Sequence, residues 1–337
     1  MSKYLLVGNP TAQSGKNEER IATALALLEK AGLRAVHLPT LPEGRTVDAV
    51  RDAIDADPFE AVIAMGGDGT FREVASGVLS STSRDRPKLA MLPTGTANDQ
   101  GKSFGLEATE EALASNIEVI RAGHTTRLDA GVVQVGSVKA HFFDSAGWGL
   151  SARTLAQRNA DRKAVDELGG PLKAIYRDHA VYVGAFVKTF LESFVVDATF
   201  DVSGALDGQP FELTDLTDLI ISNTRIYAGA WVLDKTSRSN DGAFELVPFR
   251  GKLDWASKAI VDLDGNPITE EMLNAVGVEH SKPFRASCME MTFRPHSDLA
   301  PLAAQIDGEE LLVAPVVRVD VIPQAITLMV PKVHAAP

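Results

Sequence analysis

Three loops and one acidic pair carry the residue types that could do chemistry. Gly66-Gly67-Asp68-Gly69-Thr70 follows the apolar run AVIAM and precedes an apolar stripe at helical spacing that starts at Phe71. A strand that breaks into glycine before a helix start gathers unpaired backbone N–H groups, and such groups attract phosphate. Gly66, Gly67 and Gly69 are expected to permit positive φ and close approach of an anion, with Thr70 capping the helix from Phe71. Asp68 repels a bare phosphate, so its presence implies a magnesium ion or a polar ligand group between the two charges. Two further loops follow apolar runs in the same half: Gly8-Asn9-Pro10-Thr11-Ala12-Gln13-Ser14-Gly15-Lys16, and Pro93-Thr94-Gly95-Thr96-Ala97-Asn98-Asp99. The acidic pair is Asp307 and Glu309, two apart around Gly308, which an extended backbone would point the same way. Such a pair could take a proton from an alcohol, but on these residues alone an Asp-Gly β-turn with solvated acids is the preferred reading.

The elements that must position these groups fall into two patterns. Up to about residue 125, short apolar strands (Tyr4–Val7, Arg34–Leu38, Ala61–Met65, Leu89–Leu92) alternate with helical stripes such as Ile21, Ala24, Leu25 and Leu28. That alternation predicts an α/β domain with a mostly parallel sheet over residues 1–125, and ligands gather at the carboxyl ends of such strands. The break RAGHTTRLD is followed by RLDAGVVQV, AHFFDSAG, FVVDATFDV, LTDLIISN, GAFELVPF, MEMTFRP and VVRVDVIP, which read as strands between turn residues. Residues 126–325 are therefore expected to form a mainly β domain with a helical insertion at 151–193, and residues 326–337 a C-terminal segment.

Composition narrows the partners. With 45% hydrophobic and 23% charged residues in 337, the chain has the material for two ordinary globular cores. A net charge of −12 argues against general binding to nucleic acid, while leaving room for a local phosphate site. Cys288 is the single cysteine, so no internal disulfide forms, and a reducing, cytoplasmic setting fits. The seven histidines form no paired metal motif. GWGLS at 147–151 lacks the spacing of a nucleophile elbow, which leaves Ser151 a weak hydrolase candidate.

NPTAQSGK, GGDGT and LPTGTAND, in that order, resemble the N-terminal half of the diacylglycerol kinase catalytic domain family, which includes bacterial lipid kinases and sphingosine kinases. The resemblance continues through Leu128-Asp129-Ala130-Gly131, HFFDSAGWGL, Asn240-Asp241-Gly242 and Gln305-Ile306-Asp307-Gly308-Glu309. It implies a two-domain kinase using ATP and Mg2+, with its active site between an ATP-binding domain and a β-sandwich lipid domain. Asn9, Pro10, Thr40, Gly66, Gly67, Asp68, Gly69, Thr70, Arg72, Gly95, Thr96 and Asn98 would contact the nucleotide. Asp307 and Glu309 would be the catalytic acids, Asp307 as general base with Glu309 supporting it or exchanging the role. Asp68, Asp99, Asp129 and Asp241 would form a magnesium-linked network, Asp241 ligating an ion with the main-chain carbonyls of Arg238 and Ala243.

The chain departs from the family at several points. Arg72 stands where Asn is common, and reads either as an added phosphate contact or as a solvated surface arginine. Gln100 and Gly101 replace an aromatic residue and alanine, and WVLDKTSRSNDGAF replaces a more usual approach to the Asp-Gly pair. The expected partners are a diacylglycerol-like lipid, a peripheral contact with the inner face of a membrane, and a second copy in a homodimer. Residues 151–190, with seven basic and four acidic residues among apolar ones, are one candidate for the membrane contact. A soluble-substrate kinase of the NAD-kinase type, or a nucleotide-binding regulator without catalysis, are the alternatives.

Overall fold

In the computed structural model, the described residues are 3–10, 16–95, 98–157, 159, 198–227, 231–234, 237–251, 254, 284–297 and 302–335. The first half is a run of βα units: β1 (Lys3–Gly8), α1 (Lys16–Lys30), β2 (Arg34–Pro39), α2 (Thr46–Ala56), β3 (Ala61–Gly66), α3 (Asp68–Ser80), β4 (Lys88–Pro93), α4 (Asp99–Ser103) and α5 (Ala112–Ala122). The strands pair in parallel in the order β2-β1-β3-β4. β3 lies between two neighbours and beneath helices on both faces, which is why Ala61 to Met65 are all buried and all apolar. Two cores flank the sheet. One joins Val50, Ile54, Phe71, Val74 and Val78 of α2 and α3, and the other joins Ile21, Ala24 and Leu28 of α1 to Ile117 and Ile120 of α5.

Gly123 ends α5 in the left-handed region, and the chain enters an antiparallel sandwich. Its strands are β5 (Thr125–Val135), β6 (Val138–Phe142), β7 (Ser145–Gly149), β8 (Phe200–Leu206), β9 (Gln209–Leu216), β10 (Asp218–Ser222), β11 (Ile226–Tyr227), β12 (Trp231–Val232), β13 (Phe244–Phe249), β14 (Phe284–Ala286), β15 (Cys288–Pro295), β16 (Ala304–Ile306), β17 (Glu309–Leu311) and β18 (Val316–Met329). β14-β13-β10-β7-β16-β17 form one sheet, packed on the sheet containing β8 and β15 through Trp148, Phe200 and Phe293. Trp148 stacks on Phe293 at 5.2 Å between ring centroids. The helical insertion begins as expected, with residues 150–157 helical; most of 151–193, including the basic segment, lies outside the described residues.

β18 joins the halves. Its first part pairs with β15 and β5, then the ladder shifts between Ile322 and Ile326, and Leu328 pairs with Leu89 of β4. One sheet thus runs from the parallel strands into the sandwich. No helix among the described residues is long and apolar enough to cross a membrane.

Candidate active site

The loops after the parallel strands converge. Thr40 N–H donates to the Gly8 carbonyl at 3.1 Å, drawing the end of β2 onto that of β1 beside Asn9 and Pro10. Thr94 N–H donates to the Gly66 carbonyl at 2.9 Å, drawing the end of β4 onto that of β3. The glycines serve this closeness. A Cβ on Gly95 would stand 2.6 Å from the Gly67 Cα, and one on Gly67 would stand 3.3 Å from the Gly95 Cα. This corrects the expectation of positive φ: Gly66, Gly67 and Gly69 all keep ordinary backbone, and Gly67 is extended at φ −96° and ψ −169°. Thr70 is not the helix cap either. The helix starts earlier, at Asp68, because the Phe71 N–H reaches the Gly67 carbonyl at 3.0 Å and closes the first turn there.

Asn98 shapes the neighbouring loop. It sits in the left-handed region at φ 53°, and its amide side chain both accepts from the Gly95 N–H at 3.0 Å and donates to the Gly95 carbonyl. Asp68 then accepts from the Gln100 N–H at 3.3 Å. Thr96 and residues 11–15, the remainder of NPTAQSGK, lie outside the described residues.

Across the cleft, Asp307 and Gly308 are the two central residues of a tight hairpin between β16 and β17, with Ile306 paired to Glu309. Both have positive φ, 45° and 75°, the backbone that favours Asp-Gly in such a turn. The Asp-Gly turn is thus present in place of an extended arrangement, but Asp307 is buried in it rather than solvated, and the two acids part company. Asp307 is 5% exposed; its Oδ2 accepts from the Phe143 N–H at 2.9 Å, and its Oδ1 from those of Asp144 and Ser145 at 2.9 and 3.0 Å. Glu309 opens β17, reaches over the cleft and pairs with Arg72 of α3.

The sequence reading missed Asp144, which is buried among Asp99, Asp307 and Asp68. The strand-like stretch AHFFDSAG breaks at Phe143 and Asp144, between β6 and β7, because Asp307 takes their N–H groups out of the ladder. Asp144 is 2% exposed and accepts from the hydroxyls of Thr224 and Ser145, the latter at 3.2 Å. Asn223 holds the same region: it donates to the carbonyls of Asp129 at 2.9 Å and Phe143 at 2.7 Å. The signal available beforehand was an acid inside an otherwise apolar strand, in HFFDSAG.

Burial governs the charges. It pushes Asp144 well above the usual carboxylate range, and Asp99, Asp307 and Asp68 push it further. Asp68 is raised by burial against the backbone N–H groups of Gln100, Asp99 and Asn98. Asp307 rises to about 6, again through burial, opposed by the amides of Asp144 and Ser145 and by Arg72. Buried acids raised together call for a countercharge, and the hard oxygens of Asp68, Asp99 and Asp144 suit magnesium. Among the described residues, Asp201, Asp215 and His296, outside the cleft, are the one group of three or more metal-ligating side chains whose donor atoms lie within 4.8 Å of one another.

Asp129 and Asp241 form a second group. Asp129, fully buried, accepts from the Gly242 N–H at 2.7 Å and the Gln324 N–H at 2.6 Å, tying the Asp241 turn to the bend in β18. Asp241 pairs with Arg285, and Arg238 and Ala243 flank it in the same turn.

Residues 3–133, which contain all three loops, match the model of the diacylglycerol kinase catalytic domain. Curated diacylglycerol kinases are similar to the chain over more of its length. A diacylglycerol kinase of Staphylococcus haemolyticus is 26% identical over 242 residues, 72% of this chain and 66% of that protein. A diacylglycerol kinase of Staphylococcus aureus is 27% identical over 244 residues, 72% of this chain and 69% of its own length. In fold, a diacylglycerol kinase structure from Bacillus anthracis superposes with a TM-score of 0.68 over 98% of both chains, at 21% identity. That fold is the parallel α/β unit followed by the β sandwich described above. Among the described residues, the start of α3 meets the Asp307–Gly308 hairpin of the sandwich at Gly69, Arg72 and Glu309.

Proposed function

We propose that this chain is an ATP-dependent lipid kinase that transfers the γ-phosphoryl group to the hydroxyl of a diacylglycerol-like lipid. The observation that carries the reading is the meeting of two walls: the touching glycine loops at Gly67 and Gly95 on one, and the buried Asp307 carboxylate on the other. The similarity of residues 3–133 to the diacylglycerol kinase catalytic domain, and of the chain to diacylglycerol kinases, supports the same reading.

Phosphoryl transfer requires positioning, charge neutralisation and a proton acceptor. Asn9, Pro10, Thr40, Gly66, Gly67, Gly69, Thr70, Gly95, Thr96 and Asn98 would cradle the nucleotide on the α3 N-terminus. The lipid oxygen forms a bond to the γ-phosphorus while the bond to the bridging oxygen breaks, and ADP leaves with that electron pair. The hydroxyl proton passes to Asp307. Its Oδ1 already accepts two N–H groups, but Oδ2 accepts one and keeps a lone pair for the proton. The three amides hold the carboxylate still, and burial raises its basicity to suit work near neutral pH.

A magnesium ion, when bound near Asp68, Asp99 and Asp144, would neutralise phosphate charge. A second ion at Asp241 and the carbonyls of Arg238 and Ala243 belongs to the same proposal and would require Arg285 to turn away. For the lipid, the β17–β18 connection and the start of β18 supply apolar surface after the hairpin: Leu312 is 62% and Val316 60% exposed. Peripheral contact with the inner face of a membrane, a cytoplasmic location and a homodimer complete the proposal. Transfer of labelled γ-phosphate from ATP to a panel of lipids and to soluble acceptors tests the reading; label confined to a soluble acceptor such as NAD would replace it.

A further inference from the structure

Arg72 and Glu309 stand 237 residues apart in the chain and meet across the cleft. Arg72 is held: its side chain is 17% exposed, and it opens the second turn of α3. Glu309 is loose, with 47% of its side chain exposed at the end of a hairpin. The pairing is incomplete on the arginine side. Glu309 Oε2 takes the Arg72 Nη2, while the Arg72 Nε is buried with no hydrogen-bond partner among the described residues. A guanidinium presents Nε and Nη2 as a parallel fork, so the present contact uses one prong.

The other carboxylate oxygen points to the same place. A Cβ on Gly69 would stand 2.5 Å from Glu309 Oε1, so the carboxylate rests directly on the first turn of α3. The N–H groups of such a turn have no partner within the helix. Nearby, Gln100 is 2% exposed, lines a small cavity with Gly66, Gly67 and Asp68, and has neither end of its amide paired among the described residues. An anion with more than two oxygens would satisfy more of these donors than Glu309 does.

We propose that Arg72 grips the terminal phosphoryl group of the nucleotide through Nε and Nη2, and that Glu309 is a resident stand-in which that group displaces. The proposal rests on the kinase reading and adds to it one binding residue and one competing anion. A γ-phosphoryl group carries more charge than a carboxylate and offers three oxygens, so it takes both prongs where Glu309 takes one. Glu309, being exposed, swings out without disturbing the core. Arg72 thereby reports the presence of a third phosphate, and ADP leaves Glu309 in place.

The test is calorimetric affinity for ATP and for ADP, in magnesium, of the wild type, Arg72→Met, Arg72→Lys and Glu309→Gln. Arg72→Met is expected to lose about tenfold or more in ATP affinity with ADP affinity unchanged, from the lost charge-assisted hydrogen bonds. Arg72→Lys, a point charge without a fork, recovers part of the loss. Glu309→Gln, which removes the competing charge, binds ATP more tightly than wild type and ADP about as well. Thermal unfolding confirms that each variant is folded. An Arg72→Met variant that keeps the wild-type ratio of ATP to ADP affinity overturns the assignment, as does weaker ATP binding by Glu309→Gln. A wild type that binds neither nucleotide overturns the kinase reading itself.

Discussion

Gly95 packs on Gly67 so closely that a single methyl group at Gly95 would overlap the Gly67 Cα, at 2.6 Å. Backbone cannot yield as a flexible side chain does, so Gly95→Ala must push the two loops apart. Overpacking of this kind costs about 1–3 kcal/mol. Gly67→Ala meets the Gly95 Cα at 3.3 Å, a contact that needs only a small adjustment. Nucleotide affinity should therefore fall more for Gly95→Ala than for Gly67→Ala, measured by calorimetry on folded protein. The opposite order would separate the glycine contact from nucleotide binding.

The apolar spacing in the sequence was sufficient for the βα units, because α1 and α3 bury one stripe each and β3 is apolar throughout. The three loops followed from their place after strands. What the glycines do there was not legible: glycine spacing is the same whether the residue supplies positive φ or close approach, and only the partner loop decides. The Asp307–Glu309 pair shows a similar limit. Two acids two apart share a side on a strand, but the Asp-Gly turn sends Asp307 inward and Glu309 across to Arg72. That contact, and the buried place of Asp144 among Asp99, Asp307 and Asp68, depend on tertiary pairing that local pattern does not encode.

Asp218 gives a pH test of stability. It is fully buried, accepts from the Ser151 N–H at 3.0 Å and the Ser151 hydroxyl at 3.1 Å, and burial lifts it to about 7 against those hydrogen bonds. Its folded pKa lies above the unfolded value of 3.8, so the proton it binds on folding favours the folded state. That contribution is complete below the unfolded value and is lost as pH rises through about 7. Other raised acids act in the same direction, so the difference between wild type and Asp218→Asn isolates this one. Denaturant unfolding should show wild type losing stability relative to Asp218→Asn across that range. A difference that stays flat with pH would contradict the buried, titrating state of Asp218.

The apolar connection after β17 offers a test of lipid access. Leu312 and Val316 are exposed after the Asp307 hairpin, and their replacement by Asp removes no core contact. Leu312→Asp/Val316→Asp should leave ATP affinity and thermal stability near wild type, while raising the apparent KM for vesicle-presented diacylglycerol several-fold. An unchanged KM would place lipid entry elsewhere.

The most direct measurement of the central claim is transfer of labelled γ-phosphate from ATP to diacylglycerol by wild type and by Asp307→Asn. The amide that replaces one Asp307 oxygen meets a backbone N–H it cannot accept from, so some stability is lost, about 1–3 kcal/mol. It also cannot take the substrate proton, and a general base contributes about a hundredfold to ten-thousandfold in rate. Wild type should produce labelled phosphatidate, and folded Asp307→Asn should bind ATP while losing that product by at least about a hundredfold. Labelled lipid formed by Asp307→Asn at the wild-type rate, or no labelled lipid from wild type alongside label in a soluble acceptor, would contradict the account.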